Sequence, residues 1–387
     1  MAGPAGRHTR IFGAVLAALL LALAAGNLVL DPFRAYRLVA IDALRPYRDK
    51  LVSRIAKAEI LVRDDCRLVI LGSSRAQIAL DPEHPAWGTP ACNLALTGVA
   101  APELVLVFER VLGDPRVREI VLAVDFLSFA KAAAVSDEFA HSRFNAQLQL
   151  FEYHAGLLLG EDATRASLRL VSDYRQGRKA PYTELGLTDP SRRGRPADRE
   201  SFLWALERTV QGLAVPRPDG FRYDPEQVAR LAAEIRSARA RGIAVTVLIL
   251  PSHAIYLETL RRRGLWPDYE RWRSDLVGVL GPEATEPLAP LWDFTSYAGA
   301  AAEAVPAAGA AQEMRWHWDA VHVKRALGDE VIAEIRSGET PAALVPGTRL
   351  SMDSLRALDE RLSAERLDYL EAHGSDLALI DEAGRAR

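Results

Sequence analysis

Sulfur is scarce in this 387-residue chain. It has two cysteines, Cys66 and Cys92, and no zinc-type Cys/His spacing, P-loop or Gly-x-Gly-x-x-Gly run. That removes the common metal-finger and nucleotide signatures. A dominant charge is also lacking. Lys and Arg number 48 against 51 Asp and Glu, a formal net charge of -3, so no global basic field points to nucleic acid. No internal repeat is present. The remaining composition, 49% apolar and 26% charged, is that of an ordinary globular protein, with room for one large domain with insertions or for two domains.

What the chain does have is one long uncharged run, Ile11–Leu30, preceded by Arg7 and Arg10. About 20 apolar residues suffice to cross a bilayer as a helix. Two readings fit: an uncleaved signal anchor, or a signal peptide cut after Ala22-Leu23-Ala24, with secretion of the rest. The apolar run continues past that site, which favours the anchor. Arg34, Arg37, Arg45, Arg48 and Lys50 follow the span, so the charge count does not by itself fix orientation. The short basic region before the apolar run reads as an export signal and puts the bulk of the chain outside the cytoplasm. An exported protein could join Cys66 to Cys92, if the strands they begin are parallel neighbours. The other reading of the pair is two small buried apolar residues.

The expected organisation is residues 1–30 as cytoplasmic tip and membrane anchor, 31–65 as a helical stalk, 66–337 as the main domain, and 338–387 as a charged helical tail. Within the main domain, apolar runs at Arg67–Leu71, Ala91–Leu96, Glu119–Val124, Ala244–Leu250 and Leu288–Phe294 alternate with helical patterns such as Ala101–Leu112, Glu226–Arg241 and Lys324–Ser337. Continuous apolar strands between helices predict an α/β fold, a three-layer parallel sheet of about five strands covered on both faces. Residues 131–224 read as a helical insertion, with an exposed Arg-, Gly- and Pro-rich stretch at Arg175–Arg199. The alanine-rich Ala298–Ala311 reads as a flexible loop.

In an open parallel sheet, ligands sit beyond the carboxyl ends of the strands. There the first strand runs into Gly72-Ser73-Ser74, the second into Leu96-Thr97-Gly98, the third into Asp125 and the fourth into Ser252-His253. Trp318-Asp319-Ala320-Val321-His322 precedes the last helix. Serine becomes a nucleophile when a base takes its proton, and His322 is the candidate base. Asp319, three residues earlier, is spaced to orient its imidazole.

These motifs resemble those of the SGNH/GDSL hydrolases. Gly72-Ser73-Ser74 is similar to that superfamily's first block, Asn93–Gly98 to its second, and Asp319-Ala320-Val321-His322 to the Asp-x-x-His of its fifth. The branch it most resembles is that of membrane-anchored bacterial envelope proteins, which includes alginate O-acetylation proteins and the D-alanyl transfer protein of teichoic acid modification. The resemblance covers roughly residues 67–335. It implies a flavodoxin-like fold of SGNH type, with Ser74 as nucleophile, Asp319 and His322 completing a triad, and the Ser74 and Gly98 amides forming an oxyanion hole. It further implies acyl transfer or hydrolysis, of acetyl groups above all, on an envelope polysaccharide or other acylated glycan. The expected partners are that glycan, a membrane-bound acyl-donor protein and the inner membrane, with the globular domain in the periplasm. Neither a metal nor an organic cofactor is called for. One departure stands out: the family's third block carries an asparagine donor, and here the third strand ends in Val124-Asp125-Phe126. That opens a second reading, a non-catalytic glycan-binding or assembly component on the same fold. His253, Arg75, Trp318 and Asp125 are the candidate substrate contacts. For each there is a structural alternative: a hydrogen-bonded histidine, an ion pair with the insertion, a core tryptophan, and an acceptor for backbone amides.

Overall fold

A computed structural model describes residues 4–131, 133–194, 196–214, 220–282, 288–338 and 344–385. The first three residues of the expected cytoplasmic tip, and residues 339–343 and 386–387 of the expected tail, lie outside the described residues. The chain is an α/β protein built on a six-stranded sheet. The strands are β1 (Leu68–Leu71), β2 (Ala91–Asn93), β3 (Glu119–Ala123), β4 (Ala244–Ile249), β5 (Leu291–Asp293) and β6 (Thr348–Arg349). Their order is β2-β1-β3-β4-β5-β6. The first five are parallel, and β6 is antiparallel to β5.

The apolar strands are explained by burial on both faces. Successive side chains of a strand point to opposite faces. Val69, Leu71, Ile120, Leu122, Val247 and Ile249 enter one core. Their neighbours Leu68, Ile70, Val121, Ala123 and Leu248 enter a second. The first core is covered by helices including Ala101–Leu112, Pro225–Ala240 and Trp266–Leu280. The second is covered by Ser74–Ala79 and Arg325–Ser337. The result is the expected three layers.

Four segments differ from the sequence expectation. The sixth strand comes from the tail; two residues carry no periodicity from which to read a strand. Residues 31–65 lie against the domain. Their helix Arg54–Arg63 buries Ala58, Ile60 and Leu61 in the first core. Its charged residues, which suggested a solvated stalk, are partnered: Glu59 with Arg63, Arg143 and the Tyr153 hydroxyl, and Lys57 with the carbonyls of Asn93 and Gly186 at 2.6 and 2.7 Å. Burial pushes the Lys57 amine well below its ordinary pKa. The Arg-rich stretch is irregular, but it buries Leu187 and ties the Thr188 amide to the Gln77 carbonyl. The alanine-rich segment starts with a short helix, Gly299–Ala302, whose small side chains fit the interior at Ala300 and Ala301.

Cys66 and Cys92 form a disulfide with Cα atoms 5.3 Å apart. The strands that follow Cys66 and contain Cys92 are parallel neighbours, as the strand reading required, although the register sets Cys92 opposite Val69, three residues beyond Cys66. A disulfide points to an extracytoplasmic location. The apolar helix, Pro4–Leu30, fits an anchor or a signal sequence. Replacing both cysteines by alanine is expected to lower the unfolding free energy by about 3–4 kcal/mol, from the loop the bond closes. Urea unfolding of wild type and double variant measures it.

Candidate functional site

The site is assembled at the carboxyl edge of the sheet. β1 turns into the helix Ser74–Ala79 through Gly72, whose φ is +145°. A Cβ there would stand 2.6 Å from the Ala123 carbonyl oxygen of β3. Only glycine permits this turn beside the neighbouring strand. Ser73 caps the helix, its Oγ accepting the Arg75 amide at 3.2 Å. The Ser73 hydroxyl donates to Asp125 Oδ2, so it is engaged away from the histidine.

Ser74 opens the helix and faces His322, with 2.8 Å between Oγ and Nε2. On the other side of the ring, His322 Nδ1 lies 2.9 Å from both carboxylate oxygens of Asp319. Nδ1–H donating to Asp319 leaves Nε2 free to accept the Ser74 proton. Asp319 is almost fully buried. Burial alone would raise its pKa. The His322 ring and the amides of Val321 and His322 more than offset that and hold the carboxyl below its ordinary value.

Two fastenings set this geometry. The stretch Asn93–Gly98 is tied to the serine helix. Asn93 Nδ2 donates to the carbonyls of Ala76 and Leu80, both at 2.9 Å, and Thr97 Oγ1 donates to Gln77 Oε1 at 2.8 Å. The loop 317–323 closes on itself through an antiparallel bridge between His317 and Val323, with the Trp318 amide on the His322 carbonyl at 2.8 Å. Glu303 holds the approach to that loop by accepting from the amides of Arg315 and Trp316 and from His317 Nδ1.

A cleft of about 300 Å³ opens over these groups. Ser74, His322, Gly98, Arg75 and Asp125 all line it, together with Tyr256 and Thr209. The Ser74 amide, as the first of a helix, has no intrahelical acceptor. Gly98, on the loop after β2, lines the same cleft. Asp125 is paired: Arg75 Nε lies 3.1 Å from Oδ1, and the Arg75 guanidinium rests 4.4 Å from the Tyr256 ring centre. Burial would lower the Arg75 pKa; Asp125 reverses that and raises it. The Asp125 charge is therefore compensated within the protein.

Two of the sequence candidates lie elsewhere. His253 is fully buried. Its Nε2–H donates to the Glu303 carbonyl at 2.6 Å, and Nδ1 accepts the Ile255 amide. Its own amide holds the Ala320 carbonyl inside the base loop. Trp318 is buried, with Lys324 Nζ 4.6 Å from the centre of its ring. Neither is on the wall of the cleft. Glu303, Thr209 and Tyr256 were not singled out from sequence. Tyr256 had a signal, three residues after His253 on the helix that leaves β4. Glu303 sits in the alanine-rich stretch and Thr209 deep in the insertion, and neither carried one.

No protein-family model matches the chain, and no curated protein matches it either. What defines it is the fold, an α/β protein with a mostly parallel six-stranded sheet, and a hydroxyl–imidazole–carboxylate array at that sheet's carboxyl edge.

Burial, followed by the adjacent His317, lowers the His253 pKa to about 3. Unfolded, it titrates near 6.5. Between those values the unfolded chain binds the extra proton, so stability is fully present above pH 6.5 and is lost as pH falls toward 3. The expected slope from this group is about 1.4 kcal/mol per pH unit. Urea unfolding across pH 6.5 to 4.5 should show a steeper fall for wild type than for His253→Gln; equal slopes would contradict the assignment.

Proposed function

We propose that this protein is a serine-dependent acyl-transfer enzyme of SGNH type, working on an acyl ester, foremost acetyl, of a cell-envelope polysaccharide. The observation that carries the reading is the pair of contacts on His322: Ser74 Oγ at Nε2 and Asp319 at Nδ1. The strand order β2-β1-β3-β4-β5 is that of flavodoxin-like sheets, with the array beside the β1/β3 switch point. The likeness of Gly72-Ser73-Ser74 and Asp319–His322 to the first and fifth SGNH blocks supports the reading.

In this mechanism Ser74 Oγ attacks the ester carbonyl carbon while its proton passes to His322 Nε2. Asp319 orients the ring and stabilises the imidazolium. The tetrahedral oxyanion faces the Ser74 and Gly98 amides. The carbon–oxygen bond to the leaving alcohol breaks as His322 returns the proton to that alcohol. The acyl-enzyme then passes its acyl group to a sugar hydroxyl or to water, with His322 again as base. The protein's own residues supply each proton transfer. We place the domain in the periplasm on a single inner-membrane anchor, receiving acyl groups from a membrane-bound donor protein. The apolar helix and the disulfide support that placement, and a secreted form after signal cleavage is its alternative.

A second reading, a glycan-binding or assembly component, is favoured by one observation. Asp125, compensated by Arg75 and Ser73, offers no proton where the family has an asparagine donor. Loss of one such donor costs about 10²–10³ in rate, which favours transfer from an activated donor over fast general hydrolysis.

The test is 4-nitrophenol release from its acetate ester by the full chain in detergent, with intact-mass detection of the acyl-enzyme. A burst and an acetyl adduct are expected for wild type and for Ser73→Ala, and neither for Ser74→Ala. Asp319→Asn should lower kcat by about 10⁴. Absence of any adduct, with glycan binding intact, would favour the second reading.

A further inference from the structure

The apolar helix does not simply lead away from the domain. Ile11–Leu30 spans about 30 Å at 1.5 Å per residue, the thickness of a hydrocarbon core. Yet one face of its last two turns packs on protein. Leu23, Ala24, Asn27 and Leu28 form one partly or fully buried face, packed by the helices Leu150–Leu159 and Glu161–Arg175. Asn27 is buried, and its side chain donates to the Leu158 carbonyl at 2.9 Å and to Thr164 Oγ1 at 3.2 Å. That is how a polar group must be satisfied inside a bilayer. If Ile11–Leu30 fills the hydrocarbon, the helices covering Leu23–Leu30 stand within about 12 Å of the span's outer end.

Part of the surface of those helices has the matching chemistry, beside the exposed Glu161–Arg165 ion pair that opens the second. Leu150, Phe151, Leu159 and Leu168 are exposed large apolar side chains on them, and Leu38 and Val39 follow the span. Phe151 is 83% exposed, an unusual state for phenylalanine in water. Beside Leu150 lies a notch of about 240 Å³, lined also by Arg110, Arg143, Asn145 and Tyr153. Arg143 also pairs with Glu59, and Arg110 Nε donates to the Arg143 carbonyl at 3.1 Å; the remaining N–H groups of these two guanidiniums, next to an apolar lip, suit a phosphate above acyl chains.

We propose that the helix pair 150–175 is a membrane-docking surface: it seats in the outer interface of the bilayer that Pro4–Leu30 spans, with lipid phosphate at the Arg110–Arg143 notch. The occupant is phospholipid because the face is continuous with the end of the span. The inference rests on the anchor reading and is independent of the catalytic one. Docking on one side would fix the domain against the membrane instead of leaving it on a tether.

Both native cysteines are in the disulfide, so Phe151→Cys supplies a single reactive thiol at a position whose exposure spares the core. The full-length variant, labelled with an environment-sensitive fluorophore, is reconstituted in vesicles of phosphatidylethanolamine and phosphatidylglycerol and floated on a density gradient. Nitroxide-labelled lipid is expected to remove most of the emission at 151. It should leave a label at Leu367→Cys bright; Leu367 is also exposed, on the helix that packs on Trp266–Leu280. Flotation with position 151 unquenched, open to aqueous quencher or covered by protein, overturns the docking and leaves the anchor standing. Failure to float overturns both.

Discussion

The contact between two helices at Gly328 sets the distance on which the site depends. A Cβ at Gly328 would stand 1.9 Å from the Ala79 carbonyl oxygen. Glycine therefore lets the helix Arg325–Ser337 lie directly on the backbone of Ser74–Ala79. The first of these helices follows His322 and the second begins at Ser74. Bringing residues 248 positions apart to 2.8 Å thus depends on main-chain packing in the second core, beneath the Ser74–His322 contact. Side-chain hydrogen bonds then refine a distance that helix packing has already set.

The polar groups around the cleft divide into two sets with separate tasks. Asp319, His322 and Ser74 are hydrogen-bonded in a row, with the imidazole between the carboxylate and the hydroxyl. Ser73, Asp125 and Arg75 form a closed group in which hydroxyl and charges satisfy one another. The two neighbouring serines differ by one position on the turn, and that difference assigns one to each set. A half-buried, compensated Asp125 also explains how a carboxylate can border the cleft without an unpaired charge in it.

The layered sheet was legible because each parallel strand is an apolar run buried on both faces, and such runs stand out from the helical periods between them. The candidate array was legible because strand ends in a parallel sheet share one edge, which holds Gly72-Ser73-Ser74, and because Asp319–His322 directly precedes a helix, Arg325–Ser337, that packs on that sheet. What escaped was chemistry whose meaning depends on a distant partner. The charges of Arg54–Arg63 read as solvent-facing until Glu59 and Lys57 find residues more than thirty positions away. His253 after a strand end looked like a ligand contact; its partners are main-chain groups of Glu303 and Ile255, which composition cannot reveal. Glu303 acts through amides of a loop whose path no periodicity describes.

The short antiparallel strand β6 carries a consequence for how the chain is made. Arg273 is wholly buried in Trp266–Leu280 and faces Asp293 of β5 and Asp359 of the helix Met352–His373. The strand that shields the β5 edge and one of the two carboxylates that neutralise Arg273 both arrive with the last forty-odd residues. During vectorial synthesis, or emergence from a translocation channel, the sheet would stand with an open edge and an under-compensated cation until that segment is delivered. An open edge is a template for pairing with another chain. The segment that carries β6 and Asp359 thus acts as a closing clasp on the β5 edge.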